Sequence, residues 1–222
     1  MATWKIKELR DNLERTLTTD QHDHACAILK SIEWKIRAEK YHLNVAREAY
    51  SEHFSEDEFS PIRLMQLAFE KSEDSAKFQY CTAVREFNLV ASATISHTIP
   101  EMLAQLISIA FLPGTFQVEE VRLEKVVKAL DDGKVKEGLR KIKNSEEYKY
   151  LVAFTNMSKH ISLVAPDYQL DFESGFQGVR FRKFKYKSKQ FPEVRENELI
   201  KKVTSLREQY VNLGIDINES MR

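Results

Sequence analysis

Between residues 25 and 50 an apolar side chain recurs at every third or fourth position: Ala25, Leu29, Ile32, Ile36, Leu43, Ala46 and Tyr50. Only an α-helix gathers residues of that spacing on one side, and the resulting stripe has to be covered by a partner helix. Glu39 interrupts the stripe. Thr18-Thr19-Asp20 offers a turn and an N-cap for this helix, and Asp23 suits its first turn, where partial positive charge accumulates. A shorter amphipathic helix is predicted over 3–16. Glycine and proline number only 6 and 5 in 222 residues, too few for the many turns of an all-β chain. The length suits a single domain, 1–222, with one appendage.

The rest of the chain continues the helical pattern. Residues 51–60 are acidic and polar and read as a loop. Ser60-Pro61 is a helix start, with proline at the first helical position. A long helix is predicted from there, burying Ile62, Met65, Phe69, Ala76, Tyr80, Ala83, Phe87 and Val90. It continues through the small residues Ala91 to Ser96 and His97 until Pro100 breaks it. Residues 101–112 form an apolar helix that Pro113-Gly114 stops. Helices are predicted over 118–130 and 134–143, and another is capped by Asn144, with Glu147 at the capping-box position. The period then changes to two. Tyr168, Leu170 and Phe172 alternate with polar residues, as do Val179 and Phe181, and the alternation slips near Arg182-Lys183. This predicts a β-hairpin over 167–190 with Asp171 opposite Arg180, Phe172 against Val179, and a bulge at the slip. A last helix is predicted over 193–213, stopped at Gly214. The fold expected is mainly α: a helical bundle with long antiparallel helices and a β-hairpin inserted before the C-terminal helix.

Several functions are disfavoured. The 34 basic and 34 acidic residues cancel, so no global field draws in nucleic acid or anionic membrane. The most apolar stretch, 88–112, carries His97, Pro100, Glu101 and Gln105, which a membrane span rarely tolerates. The first ten residues have no apolar signal core, and the two cysteines, Cys26 and Cys81, form no disulfide framework; a cytoplasmic protein is expected. The cysteines lack metal-type spacing, and His22 and His24 lie on opposite sides of a helix, so no metal site is expected. Without a Gly-rich phosphate loop no nucleotide cofactor is expected either.

Two segments can carry chemistry. In Thr155-Asn156-Met157-Ser158-Lys159-His160, Asn156 and His160 are four apart and share a helix face. The amide can orient the imidazole, which titrates near neutrality and suits proton transfer, while Lys159 offers a cation to a phosphate. The reading that local chemistry favours is that His160 is a polar residue suited to the negative end of a helix. The second segment, residues 180–189, holds six basic and three aromatic residues and no acid. Arg180, Arg182, Lys183, Lys185 and Lys187 would steer phosphates while exposed rings stack on bases. The alternative is a solvated basic strand, part-neutralised by Asp171 and Glu173, whose rings face the bundle.

The segment Tyr150 to His160 resembles the motif helix of HEPN-superfamily proteins, helical bundles of prokaryotic toxin, defence and RNA-processing systems. The family pattern places an Arg, then a polar residue that is often Asn, then His four residues after it. Asn156 and His160 match, and Thr155 stands where the Arg would be. The likeness covers residues 60–165. It implies a homodimer with facing motif helices and metal-independent RNA cleavage, in which the His moves a proton and the Arg steadies the phosphate. It also implies a prokaryotic stress or defence role with RNA, or an antitoxin-like protein, as partner. The competing reading is a non-catalytic helical interaction protein.

Overall fold

The computed structural model describes residues 3–55, 59–171 and 173–222. Met1-Ala2, part of the expected 51–60 loop, and Phe172 with its expected place opposite Val179 lie outside the described residues. The chain is mainly α-helical, with α1 (Ile6–Thr16), α2 (Thr19–Glu48), α3 (Pro61–Phe69), α4 (Glu73–Ser96) and α5 (Ile99–Phe111). There follow α6 (Leu123–Ala129), α7 (Lys134–Asn144) and α8 (Glu146–His160), then the strands β1 (Pro166–Asp171), β2 (Phe176–Phe181), β3 (Phe184–Tyr186), β4 (Lys189–Phe191) and β5 (Val194–Arg195), and last α9 (Glu196–Ser220). The strands thus stand before the C-terminal helix, as the alternating pattern predicts. Two compact units emerge, one of residues 1–37, 95–152 and 202–222, the other of 38–94 and 153–201.

The first unit is built on aliphatic packing. Leu9, Leu13, Leu29, Ile32, Leu103 and Leu206 are among its buried side chains. Thr18 caps α2 reciprocally with Gln21: the Gln21 N–H donates to Thr18 Oγ1 at 3.4 Å, and the Thr18 N–H to Gln21 Oε1 at 3.2 Å. Pro100 sits in the first turn of α5, where its missing N–H costs nothing. The helix expected over 118–130 is shorter. A 3-10 turn covers Val118–Glu120, and α6 starts only where Glu101 accepts the Leu123 N–H at 2.9 Å. The cap of α8 is Ser145, whose Oγ accepts the Tyr148 N–H at 3.2 Å, while Asn144 closes α7. Gly214 does not end α9. Its bare Cα makes room for the Trp4 ring, whose Nε1 donates to Asn218 Oδ1 at 3.1 Å.

The second unit corrects the largest expectation. The helix expected to run unbroken from residue 61 is two helices. Ser60 caps α3, which ends at Phe69, and Ser72 accepts the Ser75 N–H at 3.1 Å to start α4. Ser75 Oγ donates to Leu67 O at 2.7 Å and ties the corner. The buried side chains are Leu64, Leu67, Phe78, Cys81 and Leu89, whereas Ile62, Met65, Phe69, Tyr80 and Phe87, expected inside, are exposed. α2 runs antiparallel to α4 here: Tyr50 bonds Thr82 at 2.8 Å and His42 bonds Asn88 at 2.7 Å. Tyr50, Phe54, Phe59, Phe78 and Tyr168 form an aromatic cluster with ring centroids 5.1–6.5 Å apart along its contacts.

The strand region is richer than one hairpin. β1 pairs antiparallel with β2, β2 also pairs with β5, and β3 with β4 forms a separate hairpin. Arg180 faces Asp167, not Asp171, and Asp171 faces Phe176. The turn chemistry explains the shift. Asp171 accepts the N–H groups of Glu173 and Ser174, each at 3.1 Å, and Gly175 takes φ +65°, so the chain reverses early. Instead of a bulge at Arg182-Lys183, pairing with β1 stops there, and the Arg182 N–H donates to Ala165 O at 3.1 Å.

Gly214→Ala places a methyl group against the Trp4 ring inside the first unit. The expected outcome is a loss on the order of 1–3 kcal/mol, the usual cost of overpacking, read as a lower thermal midpoint; an unchanged midpoint would contradict the packing described.

Candidate functional site

Motif helix α8 presents its candidate residues unequally. Thr155 is fully buried and its Oγ1 has no hydrogen-bond partner among the described residues, Asn156 is half-buried, and Lys159 and His160 are exposed in the last turn. The positive charge of Lys159 suits that end of a helix. Among the described residues no hydrogen bond joins Asn156 to His160. Beyond the helix, the Ile161 and Ser162 N–H groups both donate to Met157 O, at 3.1 and 3.0 Å. Residue 155 faces the core, so an arginine there would need burial rather than reach a phosphate.

The two arginines of the basic segment are committed to their own unit. Arg180 donates twice to Asp167, from Nε at 3.1 Å and from a terminal nitrogen at 2.8 Å, and lies 3.5 Å from Glu193. Arg182 Nε reaches the same Asp167 at 3.2 Å, and Arg195 donates to Asp171 at 2.8 Å. Phe181, Phe184 and Phe191 are buried, and Phe154 meets both Phe181 and Phe184 edge to face. The Phe181 and Phe184 rings are therefore core, while Tyr186, half-buried, lies under the Lys187 ammonium at 5.6 Å. Lys183, Lys185 and Lys187 stay exposed, and Lys187 takes φ +54° at the β3–β4 turn. Among the described residues no hydrogen bond or ion pair links Asn156, Lys159 or His160 to these five basic residues.

Two features escape the sequence reading. The first is a buried ion pair. Arg85 grips Glu196 with both Nε, at 2.8 Å, and a terminal nitrogen, and Glu196 also accepts the Val179 N–H at 2.9 Å. Gly178, at φ +148°, lets that carboxylate lie against the strand, and the Arg85 guanidinium rests 5.4 Å from the centre of the Tyr50 ring. Beside it is a recess of about 260 Å³ lined by Arg47, Tyr50, Tyr168 and Gln177. The second feature is a groove of about 500 Å³ walled by Met65, Phe69, Phe78, Ala83, Tyr168 and Leu170. Glu86 lies within it, and burial, helped by the Asp167 carboxylate, pushes its carboxyl above the ordinary range. Burial pushes the Tyr168 hydroxyl up to about 12.

Glu39 and His42 have a spacing that metal sites also use, yet Glu39 is fully buried and His42 Nδ1 is bonded to Asn88. Among the described residues no cluster of three or more His, Cys, Asp or Glu is placed to hold a metal, and no helix is long and apolar enough to cross a membrane. Comparison with family models, curated proteins and solved structures finds no match.

Hydrogen bonds from Arg180 hold the Asp167 carboxyl below its ordinary value, and those from Ser174 bring Asp171 to about 2. An unfolded Asp titrates near 3.9. Folded values below that mean the stabilisation is complete above the unfolded value and is lost as pH falls through the folded ones. Glu86, being raised, acts in the opposite sense. Relative to the parent, an Asp167→Asn, Asp171→Asn variant is therefore expected to lose less of its thermal midpoint between about pH 5 and pH 2. Parallel curves over that range would rule the linkage out.

Proposed function

We propose that the protein works by association rather than by chemistry, as a helical interaction protein whose working surface is the outward side of α3 and α4. The observation that carries this reading is the exposure of Ile62, Met65, Phe69, Tyr80 and Phe87, at 75, 47, 82, 65 and 67%. Five large apolar side chains on two consecutive helices exceed what scattered surface hydrophobics explain, and contiguous apolar surface marks an interaction site. The groove between Met65, Phe69 and Ala83 borders this surface along one flank of α4. A homodimer is the simplest assembly that covers such a surface, because cyclic pairs dominate among soluble oligomers.

Sedimentation of the unmodified chain should give twice its mass at high micromolar concentration. Phe69→Arg with Phe87→Arg should return it to a monomer, with a thermal midpoint equal to the parent's at dilutions where the parent is itself monomeric, since both side chains are already in water in the single chain. A parent that stays monomeric, with no change on substitution, would sink the reading.

A HEPN-like RNA-processing role in a prokaryotic stress or defence system, with RNA or an antitoxin-like partner, is the second reading. Supporting it are the exposed His160 and Lys159 and the exposed Lys183, Lys185 and Lys187. It assigns proton transfer to His160, orientation to Asn156 and phosphate contact to Lys159. In a metal-free assay on single-stranded and structured RNA, His160→Ala should then cut cleavage on the order of a hundredfold or more. Replacing Arg182, Lys183, Lys185 and Lys187 with Ser should flatten the salt dependence of binding. A parent that neither binds nor cleaves RNA at low salt removes this reading and leaves the first untouched.

A further inference from the structure

On α4 the outward apolar residues have their own periodicity. Ala76, Tyr80, Ala83, Phe87 and Val90 follow at steps of four, three, four and three. The inward residues of the same helix, Ser75, Phe78, Cys81 and Leu89, lie on the opposite side and are buried. Alternating steps of three and four are what a helix needs to pack along a second helix, and α4 therefore carries two such seams, of which, among the described residues, only the inner one is filled. On α2, Ala38, Tyr41 and Val45 follow at the same spacing, with Tyr41 63% exposed. None of these eight residues is charged.

Resting on the association reading above, we infer that the outer seam of α4 pairs antiparallel with α4 of a second copy, about a two-fold axis at the level of residues 81 and 82. The order of side-chain sizes along the seam selects this arrangement. In the antiparallel register Tyr80 of one copy lies opposite Ala83 of the other, and Ala76 opposite Phe87. Every large ring then meets a methyl group, and the layers interdigitate. In a parallel, in-register pair Tyr80 would meet Tyr80 and Phe87 would meet Phe87, while the alanine layers between them would be left as voids; voids are costly in a packed interface. The two-fold also reproduces each contact twice, as an isologous interface requires.

The flanks agree with the register. Gln79 and Glu86 border the seam on one side, and the antiparallel arrangement brings Gln79 of one copy beside Glu86 of the other. The amide is a donor for a carboxylate that stands in an apolar groove. Lys77, on the other flank, comes beside Val84 and already pairs with Glu73 at 2.7 Å in its own helix. No like charges are brought together. Tyr80 and Phe87 alone would cover on the order of 250 Å² per copy, given the area that aromatic side chains bury. The groove wall of Met65 and Phe69 extends this toward the roughly 800 Å² per partner of a stable interface.

Disulfide trapping tests the pairing in a background where Cys26→Ser and Cys81→Ala remove the native thiols. Protein carrying Tyr80→Cys is mixed with protein carrying Ala83→Cys and oxidised mildly. The expected result is a mixed dimer formed at least tenfold faster than either like pair. Faster like pairs, with dimer still present in sedimentation, would overturn the antiparallel register and leave the association reading standing. A monomer in sedimentation would overturn both. Should the cysteine variants fail to fold, the single changes Ala76→Trp and Ala83→Trp decide instead. Each overfills a layer against a ring and should weaken dimerisation at least tenfold without lowering the thermal midpoint at dilutions where the parent is monomeric; unweakened dimers overturn the register.

Discussion

The ion pair between Arg85 and Glu196 is the constraint on which the second unit depends. Glu196 is the first residue of α9, Arg85 lies midway along α4, and the Val179 N–H that Glu196 also accepts belongs to β2. One carboxylate thereby fixes a helix start, a helix face and a strand. Both side chains are largely buried, with 19 and 8% of their surfaces exposed. Removing either partner of such a pair would strand a charge in an apolar setting, a loss on the order of 3–5 kcal/mol. The pair also explains Gly178: any side chain there would occupy the space of the carboxylate.

Once β2 is held, the fate of the basic segment follows. The alternation of β2 sends Val179 and Phe181 inward, and the next strand sends Phe184 after them, against Phe154. The arginines between them point out and meet carboxylates of β1 and its surroundings, Asp167 first. A stretch that reads in isolation as a cationic, aromatic strip is, once paired, a strand with a greasy side and a neutralised side. What stays charged and open is Lys183 and the short β3–β4 hairpin with Lys185 and Lys187.

Helix placement and the position of the strands were legible because they depend on local chemistry: the Thr18 and Ser60 caps, Pro61 and Pro100 in first turns, and the change of period after residue 166. The misread details involve partners distant in the chain. Gly214 looks like a helix stop until Trp4 is laid on it. The 118–130 helix starts late because Glu101, 22 residues back, supplies its cap. The α4 faces exchange between sequence and structure because this helix has two apolar stripes, and the larger residues stand on the outer one. The smaller one, built on Ser75, Cys81 and Leu89 with a single ring at Phe78, is what the interior holds. The Arg85–Glu196 pair had no local signal, since its members are 111 residues apart.

That exchange of faces is also what turns the α4 surface from a packing detail into the centre of the account. The most direct measurement is hydroxyl-radical footprinting of the unmodified chain across a dilution series. Tyr80 and Phe87 should be oxidised readily at high dilution and become protected as concentration rises, while exposed residues away from α4, such as Ile161, keep a constant rate. Equal reactivity of Tyr80 and Phe87 from the most dilute to the most concentrated sample would contradict it.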